Sequence, residues 1–276
     1  VYAAQENGLF EENGLNVTVE PGGPQVSSIN MVASGNAQFG LAHADQIVMA
    51  RNEGIELVAV ATAMQGSPQA FMFHEGRGIN DFEELNGREV FIQPGIIYWE
   101  YLKSQYDLSG VKELAYTGQH VNFIPKVESV TQAFLTSEPY FMELENVPVE
   151  SKLISDAGYD PYNVVLYVTK DYLAENEATV KAFTTAFIEG WNLYKDSYEE
   201  INKLVQKDNP DIELASLKFE AEAQEQFVYG MDAAENGVGF MTEQRWATLI
   251  EQLHDLELLD EVFDAKDIFT TDYLVQ

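Results

Sequence analysis

Five short segments carry side chains suited to recognising a small molecule, and each follows an apolar run or opens a helical one. Gly22-Gly23-Pro24-Gln25 has glycines that let the backbone come close to a ligand, although the same residues also make a plain strand-to-helix turn. His43-Ala44-Asp45-Gln46 follows Phe39-Gly40-Leu41-Ala42; here Asp45 is either a ligand contact or a helix N-cap, and His43 either a contact or a surface histidine. Gln65 to Gln69 offers amides that donate and accept, or a solvated loop. Gln93-Pro94-Gly95-Ile96-Ile97-Tyr98-Trp99 suits an apolar or flat aromatic ligand, since stacking contributes about 1 kcal/mol beyond area burial. The alternative reading of Trp99 is lobe core. Thr136-Ser137-Glu138-Pro139-Tyr140 sets a carboxylate in a turn, where it accepts from amino or ring N–H groups and repels an anion, or is simply solvated.

Catalytic and metal chemistry find little support. No G-x-S-x-G, H-E-x-x-H, G-x-x-x-x-G-K-[ST] or G-x-G-x-x-G occurs, and His43, His74, His120 and His254 do not fall at metal-ligand spacing. Cysteine is absent, which removes disulfides, thiolate metal sites and cysteine nucleophiles together. The acid pairs Glu83-Glu84 and Glu199-Glu200 read as solvated helix faces. The expectation is a protein that is not an enzyme and needs neither metal nor cofactor.

The charge balance points the same way. Lys and Arg number 15 against 46 for Asp and Glu, a formal charge of −31, so phosphate backbones and anionic lipid surfaces are poor partners. With 276 residues, 46% of them hydrophobic, the chain forms one large domain or two medium ones with a packed core. The apolar stretch Val58 to Met64 is far shorter than the roughly 20 residues that span a bilayer. The start at Val1-Tyr2-Ala3-Ala4 carries no export signal, so any such segment is expected to lie outside this sequence.

These segments need elements to hold them. Residues 1–14 read as a short helix and Leu15-Asn16-Val17-Thr18-Val19 as a strand. A helix with Val26, Ile29, Met31, Val32 and Ala33 on an approximately apolar face precedes a strand over Phe39 to Ala42; a helix from Asp45 to Gly54 precedes the β-rich run Glu56 to Thr62. Further strands are predicted at Ala70 to His74, Arg88 to Ile92, Val111 to Tyr116, Lys152 to Ser155 and Val164 to Thr169, with helices at Tyr98 to Tyr106 and Val127 to Phe134. The last hundred residues are mostly helical: Val180, Phe183, Phe187, Trp191 and Tyr194 recur at three and four residues, as do Trp246, Leu249, Ile250, Leu253 and Leu256. Two rounds of β and α followed by a helical tail imply two α/β lobes, 1–76 plus 170–276 and 77–169, with the tail packing on the first and a cleft between them. The crossings near His74 to Gly78 and Val165 to Asp171 are the expected hinges.

Several segments resemble the NMT1/THI5-like family of type II periplasmic substrate-binding proteins. They are Tyr2-Ala3-Ala4-Gln5-Glu6-Asn7-Gly8-Leu9-Phe10 with Gly14-Leu15-Asn16-Val17, Val32-Ala33-Ser34-Gly35-Asn36-Ala37-Gln38-Phe39-Gly40-Leu41, and Ala50-Arg51-Asn52-Glu53-Gly54-Ile55. Gly78-Ile79 through Leu85-Asn86-Gly87, Thr136 to Tyr140 and Gly158-Tyr159-Asp160-Pro161-Tyr162 continue the pattern. The resemblance implies a two-lobed α/β fold, each lobe a mostly parallel sheet flanked by helices. It also implies a role as the extracytoplasmic, monomeric ligand-capturing component of an ABC importer, which closes about a hinge and delivers its solute to a permease. Family members have a strand before their first helix, so a first-lobe strand upstream of Val1 is expected. Ligand-contacting positions by this reading are Gly23, Gln25, His43, Asp45, Gln65, Tyr98, Trp99, Glu138, Tyr140 and Tyr162. Sulfonate- and nitrate-type relatives place small hydroxyl residues where this chain has Ile, Tyr and Trp. The resemblance therefore implies a neutral or weakly cationic heteroaromatic such as a thiamine-pyrimidine precursor or a flavin-type vitamin, with an oxyanion such as taurine or nitrate as the alternative. The family's pyrimidine synthases carry a cysteine cluster, and its absence here argues against that enzymatic branch.

Overall fold

Local chemistry sets many of the element ends. Ser27, Thr169 and Thr242 each accept from the N–H three residues on, at 3.2, 3.1 and 3.3 Å, and so start helices. Gly8, at φ 72°, interrupts the helix expected over 1–14. A computed structural model describes residues 1–22 and 26–274. In chain order its main elements are α1 (Tyr2–Glu6), α2 (Leu9–Glu12), α3 (Ser28–Ala33), β1 (Gly40–Ala42), α4 (Ala44–Asn52), β2 (Leu57–Met64), β3 (Gln69–His74) and β4 (Glu89–Ile92). There follow α5 (Ile97–Gln105), β5 (Lys112–Ala115), β6 (Val130–Phe134), α6 (Glu138–Leu144), β7 (Val149–Leu153) and β8 (Asn163–Thr169). The tail holds α7 (Lys170–Glu175), α8 (Glu177–Asp208), α9 (Leu214–Val228), α10 (Ala233–Asn236) and α11 (Glu243–Asp255).

The chain divides into two units, Val1–Gly66 with Pro161–Lys218 and Gln224–Gln276, and Ser67–Asp160 with Phe219–Ala223. The crossings thus fall at Gly66 and Asp160, about ten residues before the positions read from sequence, because sheet pairing decides membership: β3 pairs with β6 and β7, and β8 with β1 and β2.

In the first unit the sheet order is β1-β8-β2, and β8 lies antiparallel to both neighbours. The expected α/β architecture is present, but this sheet is not mostly parallel, because β8 returns between β1 and β2 in the opposite sense. β2 is buried along its whole length, as a run apolar at every position but Thr62 requires. The tail reaches its outer edge, where Ala59 N donates to Ile268 O at 2.8 Å and Thr270 N to Ala59 O at 2.9 Å. α1 and α2 pack on α8, whose Gly190 admits α1 so closely that a Cβ there would lie 2.9 Å from that of Ala4. Phe183 stacks on Phe39 and meets Phe10 at 3.9 and 4.9 Å between ring centroids. Leu15–Val19 alternates in exposure as a strand does, yet among the described residues it joins no ladder. A groove of about 500 Å³ lies along it, lined also by Phe39, Gly40, Leu41 and Phe183.

The second sheet runs β5-β4-β6-β3-β7, with β4 parallel to β5 and β6 and β3 antiparallel to β6 and β7. It too is mixed. The helix expected over Val127 to Phe134 is strand β6. Val127, Val130 and Phe134 mimic a helical repeat, but the segment sits in mid-sheet with both faces covered, so no alternation marks it as a strand. Met72, Phe91, Phe123, Ala133 and Met142 form the core on one face. On α5, Tyr98 and Trp99 meet Phe71 edge-to-face at 6.2 and 5.9 Å.

Candidate functional site

In the second unit β4, β5 and β6 are parallel, so their carboxyl ends share one edge, the edge at which open α/β sheets present ligand-contacting loops. β4 passes through Gln93, whose N–H donates to Gln132 Oε1, into α5. β5 ends just before Tyr116, which is still held to the sheet by its N–H donating to Ile92 O at 3.0 Å. β6 ends at Phe134, and Glu138 opens α6. Pro139 suits that first turn, where an N–H has no intrahelical partner, and a carboxylate there is favoured by the helix dipole.

These chain paths converge on the Glu138 carboxylate. Oε2 accepts from Phe134 N at 2.7 Å, and Oε1 from the Tyr116 hydroxyl at a longer 3.4 Å. The Tyr116 hydroxyl also lies 3.4 Å from His120 Nε2. Burial, reinforced by Tyr116 and Glu138, pushes the Tyr98 phenol far above its ordinary range, and burial beside Glu138 does the same to Tyr116. Burial lowers the His120 pKa, with Glu138 opposing the shift. His120 Nδ1 and Trp99 Nε1 are buried without a hydrogen-bond partner among the described residues. The result is an acceptor carboxylate with a phenol and an imidazole close by, chemistry that can receive N–H donors.

The first unit gathers a second set. Ala42 and Met64 end β1 and β2, and the pairings Ala42 with Val165 and Met64 with Asn163 bring both ends to the start of β8. His43, Asp45, Gln65 and Tyr162 therefore lie at one sheet edge. His43 precedes α4 as its N-cap residue, with its N–H donating to Gln46 Oε1 at 3.1 Å; Asp45 is one residue inside the helix, where its Oδ1 accepts from Gln46 N at 2.8 Å. The N-cap alternative for Asp45 is thus replaced by His43, because the helix starts two residues earlier than an Asp45 cap would set it. Gln65 is fully buried and donates to Phe240 O at 2.9 Å, while its Oε1 has no partner. Tyr162 is buried beneath Arg245, whose guanidinium lies 4.0 Å from the ring centroid, and its hydroxyl accepts from Thr242 N at 2.9 Å.

Of the sequence-derived positions, Tyr98 and Glu138 both lie in the second unit, Tyr98 buried against Phe71, and Glu138 is the first residue of a helix where a turn was expected. Trp99 packs edge-on against Phe71, and Tyr140 lies against Phe219 at 5.6 Å. Gly23 and Gln25 lie outside the described residues. Tyr116 and His120 escaped the sequence reading. The signal for Tyr116 is its place at the carboxyl end of the strand expected over Val111 to Tyr116. Among the described residues no group of three or more His, Asp or Glu is placed to hold a metal ion, and no helix is long and apolar enough to cross a membrane.

Residues 1–201 match the family described as NMT1/THI5 like. The formylaminopyrimidine-binding protein of Halalkalibacterium halodurans is 22% identical over 282 residues, covering 98% of this chain and 85% of that protein. Riboflavin-binding protein RibY of Chloroflexus aurantiacus is 22% identical over 247 residues, covering 86% and 70%. The crystal structure of the periplasmic aliphatic sulphonate binding protein SsuA from Escherichia coli superposes with a TM-score of 0.74 at 15% identity, covering 100% of this chain and 90% of that one, a likeness of fold. With the family pattern running through both sheets and on into α8, this chain belongs to the NMT1/THI5-like family and has the periplasmic-binding-protein fold.

Proposed function

We propose that this protein is the solute-binding component of an ABC importer and captures a small heteroaromatic nutrient of the pyrimidine or flavin type. The observation that carries the reading is the Glu138 carboxylate: anchored through Oε2, it offers Oε1 to an N–H donor beside Tyr116. A carboxylate in that position repels sulfonate or nitrate, which would need donors instead. The relatives named for formylaminopyrimidine and riboflavin support the same class. The sulfonate alternative draws on the likeness to SsuA, which concerns the fold. On this reading the protein works outside the cytoplasm as a monomer, without catalysing a reaction, and passes its ligand to a membrane permease.

A thermal-shift panel of formylaminopyrimidine, riboflavin, taurine and nitrate tests the assignment. A ligand at 100 times its Kd adds about 2.7 kcal/mol to stability, which for a chain of this size raises Tm by roughly 5–10 °C. Stabilisation by a heterocycle, with the compound recovered unchanged, is the expected result. Stabilisation by taurine or nitrate alone would overturn the ligand class, and chemical turnover of the bound heterocycle would overturn the binding role.

A further inference from the structure

The hydrogen-bond directions around Glu138 are fixed by elementary donor counting. A carboxylate only accepts, so the single proton of the Tyr116 hydroxyl belongs to Glu138 Oε1, 3.4 Å away. That leaves the Tyr116 oxygen as an acceptor towards His120 Nε2, also at 3.4 Å, and Nε2 must carry a hydrogen. Nδ1, buried without a partner, is then the bare nitrogen of a neutral ring. Protonating it would create an unpaired buried donor, which agrees with the downward shift that burial imposes on His120. The backbone supports the arrangement at both ends. Tyr116 N is bonded to Ile92 O, and His120 O accepts from Phe123 N and Ile124 N at 2.9 and 3.0 Å.

We propose that Tyr116 and His120 are a positioning pair for ligand selection: His120 Nε2–H orients the Tyr116 hydroxyl, and the hydroxyl holds Glu138 Oε1 as an acceptor for ligand N–H groups. The inference rests on the solute-binding reading above and adds to it the residues that set the preference for donors over oxyanions. Oε2 is locked by Phe134 N at 2.7 Å, whereas the longer Tyr116 contact leaves Oε1 room to accept a second donor. Without the pair, the carboxylate keeps one anchor and loses its fixed outer oxygen.

Two measurements test the proposal. The first uses the ligand-free protein: nitrogen-15 NMR of the imidazoles, with His120→Gln to assign the signal, is expected to show His120 as the neutral Nε2–H tautomer at pH 7.5. The second is calorimetric affinity for formylaminopyrimidine in variants that melt cooperatively. Tyr116→Phe and His120→Asn each weaken binding about tenfold, the scale of one hydrogen bond. His120→Gln, whose amide nitrogen reaches the place of Nε2, stays within about threefold of wild type, and in a Glu138→Gln background Tyr116→Phe and His120→Asn add less than about twofold. An Nδ1–H tautomer, equal affinities for His120→Asn and His120→Gln, or losses that simply add to that of Glu138→Gln would overturn the pair. Failure of the wild-type protein to bind any heterocycle would instead overturn the functional reading, while the tautomer still decides the hydrogen-bond direction.

Discussion

Replacing Glu138 by Gln changes one atom and reverses the sense of the site. Phe134 N donates to the side chain at 2.7 Å, so the Gln carbonyl must take the Oε2 position; turning the amide round would set NH2 against N–H. The amide nitrogen then occupies the place of Oε1, facing the Tyr116 hydroxyl, and presents two hydrogens where a ligand N–H needs an acceptor. A hydrogen bond to a charged group contributes about 1.5–3 kcal/mol, so losing one weakens a donating heterocycle roughly 10- to 150-fold. The fold changes far less. The Phe134 bond survives as a neutral one, at a cost of about 1 kcal/mol, a fall of roughly 2–4 °C in Tm. An anion gains from removal of the negative charge, so affinity for a sulfonate stays level or rises. Calorimetric titrations of wild type and Glu138→Gln with formylaminopyrimidine, riboflavin and taurine at one salt concentration read this out. A heterocycle affinity within twofold of wild type would refute the reasoning, as would a parallel loss for taurine.

Further outcomes follow from other contacts. Gly40→Ala places a Cβ 2.3 Å from Cζ of the fully buried Tyr167, so overpacking lowers stability by about 1–3 kcal/mol; a melt of Gly40→Ala with Tyr167→Leu should show less than the summed loss. Tyr162→Phe leaves Thr242 N without its acceptor in a partly buried site, a cost of about 1 kcal/mol by denaturant titration. Hydrogen exchange should find the amides of Asn16–Val19, which have no ladder partner among the described residues, much faster than those of Leu57–Met64. Because burial lowers the His120 pKa, the unfolded chain takes up a proton that the folded one resists. Stability should therefore fall as pH drops below 7 through about 6.5, and His120→Gln should remove that part of the slope.

Sequence alone decided the class of the protein. Nearly unbroken apolar runs such as Leu57–Met64 and the helical spacing of Trp246, Leu249, Ile250 and Leu253 are local properties of the chain, and burial in the fold follows them residue by residue. The order of apolar runs and turns pointed to an α/β fold with a helical tail. Periodicity failed where both faces of a strand are covered, as at Val130–Phe134, since nothing then distinguishes period two from period three or four.

What tertiary structure decided is pairing across the sequence. That β8 runs between β1 and β2, and so shifts the division between units to Gly66 and Asp160, depends on contacts more than a hundred residues apart, such as Ala59 with Tyr167. In the sequence Tyr98 and Glu138 stand as separate candidate positions. Only the parallel register of β4, β5 and β6 brings the Tyr116 hydroxyl to the Glu138 carboxylate, 22 residues away in the chain, with His120 behind it. Hydrogen-bond direction, burial and charge act through space at a few ångströms, and a linear pattern carries that information only when the partners are neighbours in the chain.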